Sequence, residues 1–201
     1  MRDLQAAGGA TLNGPAPRHR VLTARAAWAL ALGIGALGFG VDFLTKELAL
    51  EYLDPDHPPV LLGGLLRLQL IRNPGAAFSM GEDFTVVLTL VAVAALVFVL
   101  AWVLPRTRHV GWAIGVGLLL AGILGNLTDR VTRPPAPLHG HVVDFLQVPN
   151  FAIFNVADMC ITFAAVTIIW LVVITQVDLM GVSTKEEKVE AATAADREES
   201  A

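Results

Sequence analysis

The chain has 201 residues, 55% of them hydrophobic and only 16% charged, and its mean hydropathy is +0.63. Soluble domains carry about a quarter charged residues, so this chain has too few charges to clothe a water-facing surface. The net charge of −4 argues against a nucleic-acid binder, and the single Cys160 rules out an intrachain disulfide or a multi-cysteine metal site.

Residues 1–23, rich in Ala, Gly, Pro and Arg, show no apolar periodicity and read as a disordered tail. A secretory signal peptide places its apolar core nearer the first residue, so the first apolar block reads as a retained anchor. Four blocks are long and apolar enough to cross a hydrocarbon core, which takes about 20 residues. They are 26–44, with Asp42 as its one charge; 84–104 and 110–127, with none; and 156–177, with Asp158. The expected fold is therefore an all-α integral membrane protein: a four-helix domain over 24–177, followed by an acidic tail over 178–201. Between the first two helices, the stretch VLLGGLLRLQLIRN is apolar but broken by Gly63, Gly64, Arg67 and Arg72. It reads as one or two short strands lying on the outer membrane surface.

Lysine and arginine set the orientation. Nine fall in the two tails, at Arg25 just before the first apolar block and in the 105–109 connection, and five in the much longer 45–83 and 128–155 segments. Both termini are expected in the cytoplasm, with those two segments outside.

On that topology the polar residues gather at the outer face. Carboxylates beside apolar spans are costly, and they mark functional or paired structural sites. Asp42 and Lys46 in DFLTK are spaced i, i+4 and can pair on one helix face. This is an interfacial ion pair or a support for a site. Asn73, Pro74 and Gly75 open NPGAAFS with turn chemistry, and Gly75, Ala76 and Ala77 admit another backbone closely. Asn126, Asp129 and Arg130 in GNLTDR sit where the helix dipole disfavours an anion, with Arg130 available to offset Asp129. Asn155 and Asp158 have the spacing of a helix cap. Asp144 lies among Val142, Val143, Phe145 and Leu146, which is no place for a solvated surface acid.

Two carboxylates at close range do not both ionise easily. One can activate water while its protonated partner polarises a carbonyl, which is peptide hydrolysis without metal or covalent intermediate. The N-terminus of the fourth helix favours an anionic Asp158 and leaves Asp144 as the proton carrier. Cys160 has no histidine near it in sequence, His139-Gly140-His141 with Asp144 is a loose metal pattern, and no G-x-S-x-G elbow is present. A non-enzymatic reading, a small proton-coupled carrier or a scaffold, expects ionisable groups near the membrane midplane and broken helices. The clustering of acids at one face favours an interfacial enzyme.

The ordered set DFLTK, NPGAAFS, GNLTDR, HVVDF and FNVAD resembles lipoprotein signal peptidase, or signal peptidase II, from about Asp42 to Ala164. The resemblance implies a four-helix aspartic endopeptidase of the bacterial inner membrane, with its site near the outer face. Its partners would be membrane lipids and a diacylglyceryl-modified prolipoprotein, cleaved before the lipidated cysteine, with no cofactor. By motif, the catalytic pair would be Asp144 and Asp158. Asn73, Gly75, Asn126, Asp129, Arg130, Asn155, Asp42 and Lys46 would line or support the site. Phe43 stands where the family often has Gln, and Pro74 where it often has Thr or Ser, which removes a backbone N–H from that loop.

Overall fold

The computed structural model describes residues 21–75 and 83–183. Of the expected tails over 1–23 and 178–201, residues 1–20 and 184–201 lie outside the described residues, as do Ala76 and Ala77, whereas 21–23 and 178–183 are tied to the bundle end by backbone hydrogen bonds.

Four helices are long and apolar enough to cross a membrane. Helix α1 runs Ala24–Tyr52, about two turns further out than the apolar block alone suggests, because Lys46 and Glu47 are held by partners on other elements. Helix α2 runs Asp83–Phe98 and continues through a π-helical turn, Val99–Val103, to Arg106. Helix α3 is Val110–Thr132, and α4 is Val156–Ile169, extended by a second π-helical stretch, Trp170–Thr175.

Helix α3 is central: 56% of its spanning window is buried, against 11–22% in the other three. Small residues bring its neighbours in. A side chain at Gly117 would lie 2.6 Å from the Ala31 carbonyl of α1, and one at Gly122 would lie 2.6 Å from the Ala157 carbonyl of α4. Membrane helices gain little from hydrophobic exclusion against each other, so close van der Waals approach of small residues supplies the packing. Ala27, Ala31, Ala113, Val116 and Leu120 form the buried seam. The outward faces carry Leu37, Val91, Phe98, Ile169 and Trp170, all exposed, as suits a helix surface turned to lipid.

At one end of the bundle the chain returns on itself. Leu22 N donates to Arg108 O (2.8 Å), Arg108 N to Leu179 O (2.7 Å) and the Trp112 indole to Val177 O (2.9 Å). The two ends of the described chain and the 107–109 turn thus share that end.

At the opposite end lies a three-stranded antiparallel sheet, β1 (Val60–Leu61), β2 (Leu66–Asn73) and β3 (Val142–Gln147), in that order. The first two strands come from the 60–73 stretch, where one or two short strands are expected, and they pair as an antiparallel hairpin. The third comes from between α3 and α4, so the β segment is shared by two connections rather than confined to the first. Its composition, VVDFL, fits a strand buried on both faces. A register shift between Leu68 and Ile71 brings Ile71 opposite Asp144 and Asn73 opposite Val142.

Candidate active site

The polar residues of five motifs meet where the sheet rests on the ends of α1, α3 and α4. The register places Asn73 diagonally across from Asp144, within side-chain reach. Asn73 Nδ2 donates to Asp144 Oδ2 at 2.9 Å, and Asn73 Oδ1 accepts from Gly75 N at 2.9 Å. That second bond is an Asx turn. Gly75 sits at φ +109°, and a Cβ there would lie 2.7 Å from Leu88 Cδ1 of α2, so the turn needs a glycine on both counts.

After β3 the chain reverses and Phe154 pairs back onto Leu146 (Phe154 N to Leu146 O, 2.9 Å). This return delivers Asn155 beside Asp144 at the start of α4. Asn155 is a full capping box with Asp158: Asp158 N donates to Asn155 Oδ1 at 3.0 Å, and Asn155 N to Asp158 Oδ2 at 3.2 Å. The cap and the site are the same residues. With its oxygen committed to the cap, Asn155 Nδ2 donates to Asp144 Oδ1 at 2.6 Å and to Asn126 Oδ1 at 3.1 Å. Asn126 Nδ2 in turn donates to Asp158 Oδ1 at 2.8 Å. Asp144 and Asp158 are therefore bridged through two asparagine amides.

Behind this bridge is a buried ionic layer. Lys46 Nζ lies 2.8 Å from Asp42 Oδ2, 2.8 Å from Asp129 Oδ2 and 3.1 Å from Asn126 Oδ1, with Lys46 and both aspartates buried. The ammonium thus hydrogen-bonds the Asn126 amide oxygen and is ion-paired with both carboxylates. Asp42 Oδ1 accepts from Ala157 N at 2.8 Å, so α1 contributes a carboxylate to the N-terminus of α4. Asp129 also accepts from Val143 N at 3.2 Å and pairs with Arg133, which reaches on to Glu47 at 2.7 Å.

One expectation needs correcting. The direct ion-pair partners of Asp129 are Lys46 and Arg133, not Arg130. The i, i+4 spacing of Asp129 and Arg133 was the available signal. Arg130 lies within electrostatic reach of Asp144, Asp129 and Asp158, and its buried Nη1 has no hydrogen-bond partner among the described residues. Two contributors on α2 carried no motif: Thr85 and Thr89, both buried, donate to Pro74 O (2.6 Å) and Leu138 O (2.9 Å).

Burial pushes the Asp144 carboxyl up to about 6. The charge of Asp158 adds to the rise, while the Asn73 and Asn155 donors and the Lys46 ammonium oppose it. A carboxyl this close to neutrality can hold a proton and give it up. Among the described residues, no three of His, Cys, Asp and Glu converge as a metal site, and His139 Nδ1 lies 3.2 Å from Pro137 O.

Residues 34–174 match the family model of signal peptidase (SPase) II. The lipoprotein signal peptidase of Mycobacterium tuberculosis is 38% identical over 167 residues, spanning 83% of this chain and 79% of that protein. The enzyme of the same name from Rhodococcus jostii is 45% identical over 142 residues, 70% of this chain and 71% of the relative. A bacterial membrane enzyme solved by the in meso method at 1.9 Å superposes with a TM-score of 0.60 at 24% identity, covering 79% of this chain and 99% of that one. At that identity the likeness speaks to the fold. With five ordered motifs converging on one site and a family model covering most of its length, this chain belongs to the signal peptidase II family and is a multi-pass membrane peptidase.

Proposed function

We propose that this protein is an aspartic endopeptidase that removes the signal peptide from diacylglyceryl-modified bacterial prolipoproteins, cleaving before the lipidated cysteine. The observation that carries the reading is the bridged pair: Asp144 and Asp158 on separate elements, joined through Asn155 and Asn126, with the Asp144 carboxyl raised to about 6. The names of the curated relatives supply the substrate class.

In this reading Asp158 acts as the base and takes a proton from water. The water oxygen attacks the scissile carbonyl while Asp144 gives its proton to the carbonyl oxygen. The tetrahedral diol then collapses: Asp158 passes its proton to the departing amine, and Asp144 recovers its own from the diol. Each carboxyl ends as it began. Arg130 Nη1, buried and without a hydrogen-bond partner among the described residues, offers a donor to a substrate carbonyl at the same face.

The position of the site suits such a substrate. Its scissile bond sits at the junction of a membrane helix and an extracytoplasmic lipidated segment, and the pair lies at the α3–α4 end of the bundle beside an exposed apolar hairpin (Leu61, Leu62, Leu65). The enzyme is placed in the bacterial inner membrane, termini inside and pair outside, with the 45–83 segment closing over the substrate.

The test is cleavage of a diacylglyceryl-modified prolipoprotein by detergent-purified protein, followed by the mass loss of the signal peptide. Wild-type turnover abolished in both Asp144→Asn and Asp158→Asn is the expected result. Turnover that survives either change would mean another pair does the chemistry.

A further inference from the structure

We infer that Thr85 of α2 is a positioning residue for the peptidase reaction, holding the Asn73–Gly75 turn against α2 so that the Asn73 amide stays on Asp144. The inference rests on the proposed role of Asp144.

The argument starts from what a threonine on an apolar helix ordinarily does. Its hydroxyl bonds back to the carbonyl four residues earlier, which costs nothing in tertiary structure. Thr132, Thr162, Thr167 and Thr175 all do this, at 2.7–2.8 Å. The Thr85 hydroxyl instead leaves its helix and donates to Pro74 O at 2.6 Å, with the side chain buried. Proline has no N–H, so the carbonyl is the only backbone polar group that Pro74 offers. It is flanked by the two residues that aim at Asp144: Asn73 supplies the donor, and Gly75 N closes the turn on Asn73 Oδ1.

A second contact acts on the same turn. A Cβ at Gly75 would lie 2.7 Å from Leu88 Cδ1, one helical turn along α2 from Thr85. The turn is thus held at Pro74 by a hydroxyl of α2 and packs at Gly75 against a leucine of the same helix. One turn further on, Thr89 reaches Leu138 O in the connection that leads into β3, sharing its proton with Thr85 O. Helix α2 meets the site through two hydroxyls, those of Thr85 and Thr89. They grip the turn that carries Asn73 and the connection that leads into β3.

Thr85→Val removes the hydroxyl and keeps the shape. A hydrogen bond of ordinary net strength corresponds to roughly a two- to tenfold effect. The expected result is a kcat lowered by about that factor with KM nearly unchanged, and recovery in Thr85→Ser. In an Asn73→Ala background, Thr85→Val should cost little more, because the two residues act in series. Where the Val protein is not recovered folded, Thr85→Ala loses the same hydroxyl without branching and takes its place. Wild-type kcat in the Val or Ala variant, failure of Ser to restore it, or full additivity with Asn73→Ala would each overturn the inference. If Asp144→Asn in the same assay retains activity, the aspartic reading itself falls. If Asp144→Asn is dead while Thr85→Val is unaffected, only this inference falls.

Discussion

Lys46 Nζ lies 3.1 Å from Asn126 Oδ1, and this contact decides which way the Asn126 amide faces. An ammonium only donates, so the amide oxygen must point at it. The amide nitrogen is then left to donate to Asp158 Oδ1, at 2.8 Å. A lysine inside the ionic layer thus sets a hydrogen bond on a carboxylate that it does not touch.

Removing Lys46 should therefore do two things. Lys46→Met leaves Asp42 and Asp129 buried without their shared cation, and breaking a buried pair costs about 3–5 kcal/mol. The melting temperature in detergent should fall sharply. Any folded fraction should cleave more slowly, since the Asn126 amide that donates to Asp158 is then held on its oxygen side by Asn155 alone. A Lys46→Met protein as stable as wild type would show the layer to be dispensable.

Asn155 has two separable jobs. Its oxygen caps α4, and its nitrogen donates to Asp144 and Asn126. Asn155→Ser keeps a capping oxygen but loses the amide donor. Its melting temperature should stay near wild type while turnover of the prolipoprotein drops by at least tenfold. Asn155→Ala should lose the cap as well, about 1 kcal/mol. Equal thermal stability of Ser and Ala variants would argue against the cap's contribution.

The Asp144 carboxyl is raised to about 6, and the charged groups facing it are Asp158 from α4, Lys46 from α1 and Arg130 from α3. If Asp144 works as the proton donor, activity should fall as pH rises through its value in the complex. Asn73 donates to the charged form, so its loss favours the protonated form. Asn73→Ala should move the alkaline limb of the kcat profile to higher pH, even as the rate at the optimum declines. A limb that moves to lower pH would give Asp144 the opposite role.

Two glycines offer a packing contrast. A Cβ at Gly125 would meet the Asp42 carboxylate and lie 2.9 Å from Ala157 Cβ, whereas nothing lies within 4 Å of one at Gly33. Gly125→Ala should destabilise by about 1–3 kcal/mol, as overpacking does. Gly33→Ala should be neutral or slightly stabilising through helix propensity. Thermal unfolding of both variants in one detergent checks this.

Much of this molecule was legible along the chain. Four apolar blocks and the gathering of acids at one face follow from local composition, because a bilayer demands about 20 apolar residues and penalises every charge within them. Short strands at 60–73 were legible because Gly63, Gly64, Arg67 and Arg72 break an apolar run too short to span. The Asn155–Asp158 cap was legible because both partners lie within one helical turn.

Tertiary structure decided the rest. Strand β3 was not readable, because its partner β2 lies some 70 residues earlier and its composition fits a buried helix turn equally well. Asp129 took Lys46 and Arg133 rather than its neighbour Arg130, because side chains three or four apart share a helix face and adjacent ones do not. Thr85 and Thr89 carry no signal at all in an apolar helix: the carbonyls they satisfy belong to loops that only the packed fold brings within reach. The residue types that can do the chemistry were determined by the sequence alone. Which of them touch, and through which amide, was fixed only when the sheet closed over the helix ends.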